Sequence, residues 1–174
     1  MLKYVDYDIV FDEVPDEVAL AVSLSLCPNH CEGCHSPYLR QDIGEELTLE
    51  RLASIIRCYR SGITCLCLMG GDGDTHSLEQ LARSLHTAFP TLRLAWYSGR
   101  QQLPESMDVT IWDYVKLGPY IPKLGPLTSP TTNQRLYRIL SDSTLDDLTP
   151  RFWRDKASNG KIEETVPLKT LFNP

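Results

Sequence analysis

Residues 63–74 read ITCLCLMGGDGD, a short and nearly unbroken apolar run that stops in three glycines and two aspartates. A run of this length without polar alternation is what a central strand covered on both faces requires, and its glycine-rich end reads as a turn. Downstream, Leu78, Leu81, Ala82, Leu85 and Phe89 recur at helical spacing from about Ser77 until Pro90 closes the segment, and Leu92 to Tyr97 reads as another strand. Upstream, Leu49, Leu52, Ile55, Ile56 and Tyr59 mark an earlier helix. Thr48 is placed to cap it, Leu47 to staple onto Leu52, and Ser61-Gly62 to end it. Before that helix the chain from Val18 to Leu26 alternates, with Val18, Leu20, Val22, Leu24 and Leu26 on one side and Ala19, Ala21, Ser23 and Ser25 on the other. Such a strand has one greasy face and one small-residue face. The space left on the second suits a bound ligand or a closely packed helix equally.

The outer segments extend the pattern. Between Tyr4 and Phe11, Val5, Tyr7, Ile9 and Phe11 alternate with polar residues at the period of a half-buried strand, which the stretch Asp12 to Asp16, with Pro15, then breaks. Trp112 to Leu117 reads as a further strand, Gly118 to Pro130 is rich in proline and glycine, and Arg135 to Leu140 reads as a last short strand. Alternation of strands and helices predicts an α/β fold with a parallel sheet. Past Ser141 the periodicity weakens, and Ala157 to Glu164 is polar enough to be a loop or loose tail. The expectation is a single domain over 1–174, with a core over about 18–140 and a C-terminal extension over 141–174 of no assignable role. In that extension Phe152 and Trp153, between Arg151 and Arg154, suit a patch that docks a partner or an aromatic pair packed back on the sheet.

A chain of 174 residues buries a real core but is short for a complete eight-unit β/α barrel, so any barrel must be partial. The 23 acids outnumber the 17 lysines and arginines, for a formal charge of -6, which argues against nucleic acid or an anionic membrane as a partner. No segment approaches the roughly 20 apolar residues that span a bilayer, and the N-terminus lacks the apolar stretch of a secretory signal. A cytoplasmic location is expected. In that reducing compartment, six cysteines are metal ligands, reactive thiols or small core residues before they are disulfides.

Three of the six stand in Cys27-Pro28-Asn29-His30-Cys31-Glu32-Gly33-Cys34, directly after a strand, where a loop can fold them around one centre. Three thiolates on a 4Fe-4S cluster leave one iron free for an outside ligand, whereas a structural zinc site closes itself with four ligands. A zinc site completed by His30 or His35, or three unconnected core thiols, remain the alternatives. Cys58 falls on the first helix, and Cys65 and Cys67 share one face of an apolar strand, so these three read as small buried hydrophobes.

The spacing C-x3-C-x2-C at the end of a core strand, followed one strand later by Gly70-Gly71-Asp72, resembles the radical S-adenosylmethionine (SAM) superfamily. The likeness extends to the activating proteins of glycyl radical enzymes, and among these to the anaerobic ribonucleoside-triphosphate reductase activating proteins. It is carried by Cys27 to Pro37, Met69 to Asp72, Trp96-Tyr97-Ser98-Gly99, Gly118-Pro119-Tyr120 and Thr132-Asn133-Gln134-Arg135. Lys116-Leu117 stand where the resemblance leads one to expect an acid.

The resemblance implies a partial, open β/α barrel with a mostly parallel sheet, and an oxygen-sensitive 4Fe-4S cluster on Cys27, Cys31 and Cys34. It implies SAM as second cofactor, its amino end received by Gly70, Gly71 and Asp72, with Ser98 either a hydrogen-bond partner of SAM or an ordinary turn serine. His35 would orient the loop. The implied partners are the anaerobic reductase, on which a glycyl radical is generated, and an electron donor such as a flavodoxin or ferredoxin. Two other readings stay open: a radical SAM enzyme for another glycyl radical enzyme or for a small molecule, in the manner of a deazaguanine synthase, and a non-catalytic metal-binding module.

Overall fold

The structure, a computed structural model, describes residues 1–141, 144–153 and 165–172. Its strands are β1 (Lys3–Val10), β2 (Ala19–Leu24), β3 (Glu45–Glu46), β4 (Cys65–Met69), β5 (Arg93–Tyr97), β6 (Tyr114–Leu117), β7 (Arg135–Ile139), β8 (Thr144–Asp147) and β9 (Thr165–Pro167). Helix α1 (Leu49–Tyr59) lies between β3 and β4 in the chain, and α2 (Thr75–Ala88) between β4 and β5. All nine strands form one sheet in the order β3-β1-β2-β4-β5-β6-β7-β8-β9.

This overturns the expected mostly parallel, open β/α barrel. Only β2–β4, β4–β5 and β5–β6 pair in parallel. The pairs β1–β2, β1–β3, β6–β7, β7–β8 and β8–β9 are antiparallel, and among the described residues there are only two α-helices. The cause lies in the connections. A parallel crossover needs about a dozen residues or more, normally with a helix to pack back on the sheet. The stretch 11–18 is too short, and 118–134 carries Pro and Gly in place of a helix, so in both places the chain turns back on itself.

The parallel centre follows from its sequence. Thr48 Oγ1 accepts from the Arg51 amide at 3.1 Å and caps α1, and the Asp74 side chain accepts from the Ser77 amide at 3.1 Å and caps α2. Each cap is worth about 1 kcal/mol. The apolar stripes of both helices bury Leu52, Ile55, Ile56, Leu78, Leu81 and Leu85 in one cluster with Leu20, Val22, Leu24, Leu66, Leu68 and Leu94 of the sheet. Leu47 and Leu52 belong to that same cluster. Burial of a leucine side chain of this kind contributes about 1.5–3 kcal/mol.

The opposite face carries the small residues, and neither α1 nor α2 contributes to the cluster on it. Ala19, Cys65, Cys67 and Ala95 pack there with Tyr114, Leu136, Leu148 and Val14, and Phe152 lies against the same cluster. Phe152 therefore packs back on the sheet. Arg154 and the polar stretch 157–164 lie outside the described residues.

Two local readings change. Tyr4 pairs with Leu24 but Asp6 with Ser23, so Val5 is an extra residue on β1, and such a bulge reverses which side chains face inward. Ile9 packs against the core as expected, but Tyr4 is buried in that same cluster while Tyr7 and Phe11 are exposed. Cys58 is likewise exposed and not a buried hydrophobe, whereas Cys65 and Cys67 are buried as expected. No helix among the described residues is long and apolar enough to cross a membrane.

Candidate functional site

The cysteine loop leaves the C-terminal end of β2, and the ends of β4, β5 and β6 lie beside it. In register across the sheet, Ser23 faces Met69, Met69 faces Tyr97 and Tyr97 faces Lys116. The glycine turn, Ser98 and Gly118 therefore emerge at the same edge as the thiols. Leu26, with φ of 60°, diverts the chain from the strand direction into the loop.

Both ends of the loop are fixed by backbone bonds. The amides of Leu26 and Cys27 donate to the carbonyls of Gln41 and Leu39 at 3.3 and 2.9 Å, and Arg40 Nη2 donates to the Cys31 carbonyl at 2.8 Å. Its outer side rests on the Gly118–Pro130 segment: the Gly33 Cα lies where an added Cβ would come within 3.3 Å of the Pro122 ring. His35 meets Tyr120 edge to face at 5.3 Å.

Asp72 ties the loop to the turn. Its side chain is almost fully buried, and one carboxylate oxygen accepts from Asn29 Nδ2 at 2.6 Å and from the Gly99 amide at 2.8 Å. The other accepts from the Ser98 hydroxyl at 2.7 Å, and Arg100 Nη2 donates to the Asp72 carbonyl at 2.8 Å. Most of the acceptor capacity of the carboxylate is thus taken. Ser98 is equally committed, since its hydroxyl also accepts from the Arg100 amide at 3.0 Å. Ser98 holds Asp72, and through Asp72 it holds the cysteine loop.

Gly70 and Gly71 have φ of 109° and 87°, a region in which side chains other than that of glycine are strained. The Gly70 carbonyl accepts from Trp96 Nε1 at 2.7 Å and the Gly71 carbonyl from the Asp74 amide at 3.1 Å. Each carbonyl has a second lone pair to offer.

The three thiols are free and partly exposed. Asn29 Nδ2 also approaches Cys27 Sγ at 3.7 Å. Burial pushes the Cys27 thiol up, and the nearby charges of Asp72 and Cys31 act in the same direction while its hydrogen bonds with Asn29 oppose them. A bound cation would reverse that repulsion. Among the described residues no three His, Cys, Asp or Glu side chains converge on a point where they could hold one ion. A cluster sets a different demand, because each thiolate takes a separate iron and the sulfurs stay further apart than around a single zinc. Three free thiols on one anchored loop match the donor chemistry of such a cluster.

Three residues here were not singled out as functional by the sequence reading: Asn29, Arg100 and Lys116. Lys116 is partly buried on the small-residue face, and its Nζ donates to the Gly118 carbonyl at 2.8 Å. Burial lowers its pKa to about 8, opposed by the charges of Asp72, Cys31 and Glu13. A lysine inside the otherwise apolar strand Tyr114–Leu117 was a visible signal; Arg100, in a loop of polar residues, gave none.

No family model, no curated protein and no solved structure matches this chain.

Proposed function

We propose that this protein is a radical SAM activase that generates a glycyl radical on an anaerobic ribonucleoside-triphosphate reductase. The observation that carries the reading is the link from Cys27 through Asn29 to Asp72, which joins three free thiols to the Gly-Gly-Asp turn. The reading rests on this loop and not on the sheet, which is mixed.

Cys27, Cys31 and Cys34 would hold the cluster, and the second lone pairs of the Gly70 and Gly71 carbonyls would accept from the amino group of SAM. When bound, the cluster would supply one electron to SAM, and the 5'-deoxyadenosyl radical released with methionine would take a hydrogen from a glycine of the reductase. Asp72, Ser98 and Asn29 would keep loop and turn in one geometry, so that little reorganisation is left for the reaction. Lys116 would offset the negative charge that Asp72 and three thiolates bring to this end. The Gly118–Pro130 segment, packed on the loop, would meet the partner and exclude water. A flavodoxin or ferredoxin would supply the electron.

The test is an EPR spectrum of the anaerobically reconstituted, reduced protein with SAM and the candidate reductase. A glycyl-type doublet is the expected result. A cluster signal perturbed by SAM without that doublet redirects the chemistry to another glycyl radical enzyme or a small molecule. Absence of 5'-deoxyadenosine from iron-loaded, folded protein would leave a non-catalytic metal-binding module.

A further inference from the structure

The opposite end of the parallel strands holds a cavity of about 440 Å³. Its walls include Arg60 at the end of α1, Thr64 before β4, Thr91 before β5, Arg93 on β5, Tyr114 on β6 and Arg138 on β7. Three arginines from separate elements thus line one recess in a chain whose formal charge is -6.

Two acids also line it, and both are engaged. Glu17 Oε1 takes Arg93 Nε at 2.8 Å and the Tyr114 hydroxyl at 2.7 Å, while Asp16 takes both terminal nitrogens of Arg151 at 2.6 and 2.8 Å. Asp113 lies 3.8 Å from Arg93. Arg60 donates to the Thr91 hydroxyl but, like Arg138, has no acidic partner within ion-pair distance among the described residues. Asp146 stands opposite Arg138 across the β7–β8 ladder and forms no such pair with it. Arg60 and Arg138 stand on separate walls without an ion-pair partner among the described residues, although the Asp16 charge acts on Arg138, and a doubly charged oxyanion between them can accept from both planar forks. The volume falls in the lower part of the range of small-molecule sites, about 300–1,000 Å³.

We infer that this cavity is a binding site for a phosphate dianion, free or as the monoester of a small metabolite no larger than a nucleoside monophosphate. The site is separate from the thiols and does not depend on the activase reading.

Isothermal titration of the full chain at low ionic strength, with inorganic phosphate and with AMP as probes, tests it. One-site saturable binding is expected, and Arg60→Gln and Arg138→Gln should each weaken it about tenfold, the effect of losing one charge-assisted contact. Lys123→Gln and Cys27→Ala should bind as the parent does. Tighter binding of AMP assigns the monoester and parity assigns free phosphate. Amide spectra recorded in parallel should shift Thr64 and Thr91 on addition of either probe, a readout that survives if one arginine variant fails to fold. No saturable binding of either probe, or undiminished binding in both arginine variants, overturns the assignment.

Discussion

The four parallel strands β2, β4, β5 and β6 end differently at their two ends. At the C-terminal end, glycines with left-handed backbone and one buried carboxylate lock three connections together through short hydrogen bonds. At the N-terminal end, connections are joined by Arg93 on the buried Glu17 and by Arg151 on the exposed Asp16. Charge-assisted bonds to a buried group are worth about 1.5–3 kcal/mol each, while exposed pairs contribute about 0–1. The C-terminal end therefore hangs on one buried carboxylate that joins three connections, while the N-terminal end divides between a buried carboxylate and an exposed pair.

The harshest way to break this contrast is to remove the thiols. On the activase reading, Cys27→Ala, Cys31→Ala and Cys34→Ala should each abolish iron retention and SAM cleavage. Cys65→Ala and Cys67→Ala, in the sheet core, should keep both at a cost of about 1–2 kcal/mol. Iron analysis with a 5'-deoxyadenosine assay decides it, and cluster loss in Cys65→Ala would sink the ligand assignment.

Next in size is Asp72→Ala, which strands the donors of Asn29, Ser98 and Gly99. It should lower stability by about 3 kcal/mol in urea denaturation and speed the reaction of Cys27 with a thiol reagent. Unchanged stability would mean that the two ends are held alike. Gly71→Ala should cost about 1–3 kcal/mol, since φ is 87° and the new Cβ would sit 3.0 Å from Leu78 Cδ1.

Asp74→Ala should cost about 1 kcal/mol through the lost cap of α2, with a pH signature. The Met1 amino group and then the Ser77 amide lower the Asp74 pKa from 3.8 to about 2. A depressed carboxyl stabilises the fold above its unfolded value, and that contribution fades as pH falls through about 2. The gap between parent and variant should therefore close between about pH 4 and 2 in denaturant titrations. Smallest of all, Arg151→Gln at the other end should change stability by about 0.5 kcal/mol or less, because both partners of the Asp16 pair are well exposed.

The parallel centre was legible because its evidence is local. Thr48, the unbroken run Cys65–Met69 and the helical spacing of Leu78 to Leu85 each state their element without reference to the rest of the chain. Strand direction at the flanks is a property of pairs, and the sequence reading extended the parallel rule past the point where connections could sustain it. The stretch 11–18, too short for a crossover, was a readable warning. The bulge at Val5 had no sequence mark, so the burial of Tyr4 on the same side as Ile9 could not be read. At the candidate site, the thiol spacing and the glycine turn were visible as motifs. The roles of Asn29 and Ser98 were not, because they depend on Asp72 being carried to them by separate strands.

The two outer strands bear on how this protein behaves among copies of itself. An open sheet exposes unpaired backbone groups at both edges, and long flat edges recruit one another into aggregates. Here β3 covers only Lys3 and Tyr4 of β1, and the rest of that edge presents the exposed Asp6 and Asp8 beside the exposed Glu45 and Glu46, so a second molecule approaching it meets like charge. The other edge, β9, has three residues and ends in Pro167, which has no amide hydrogen to donate. Among the described residues, each edge of the nine-stranded sheet thus carries its own protection against stacking edge to edge.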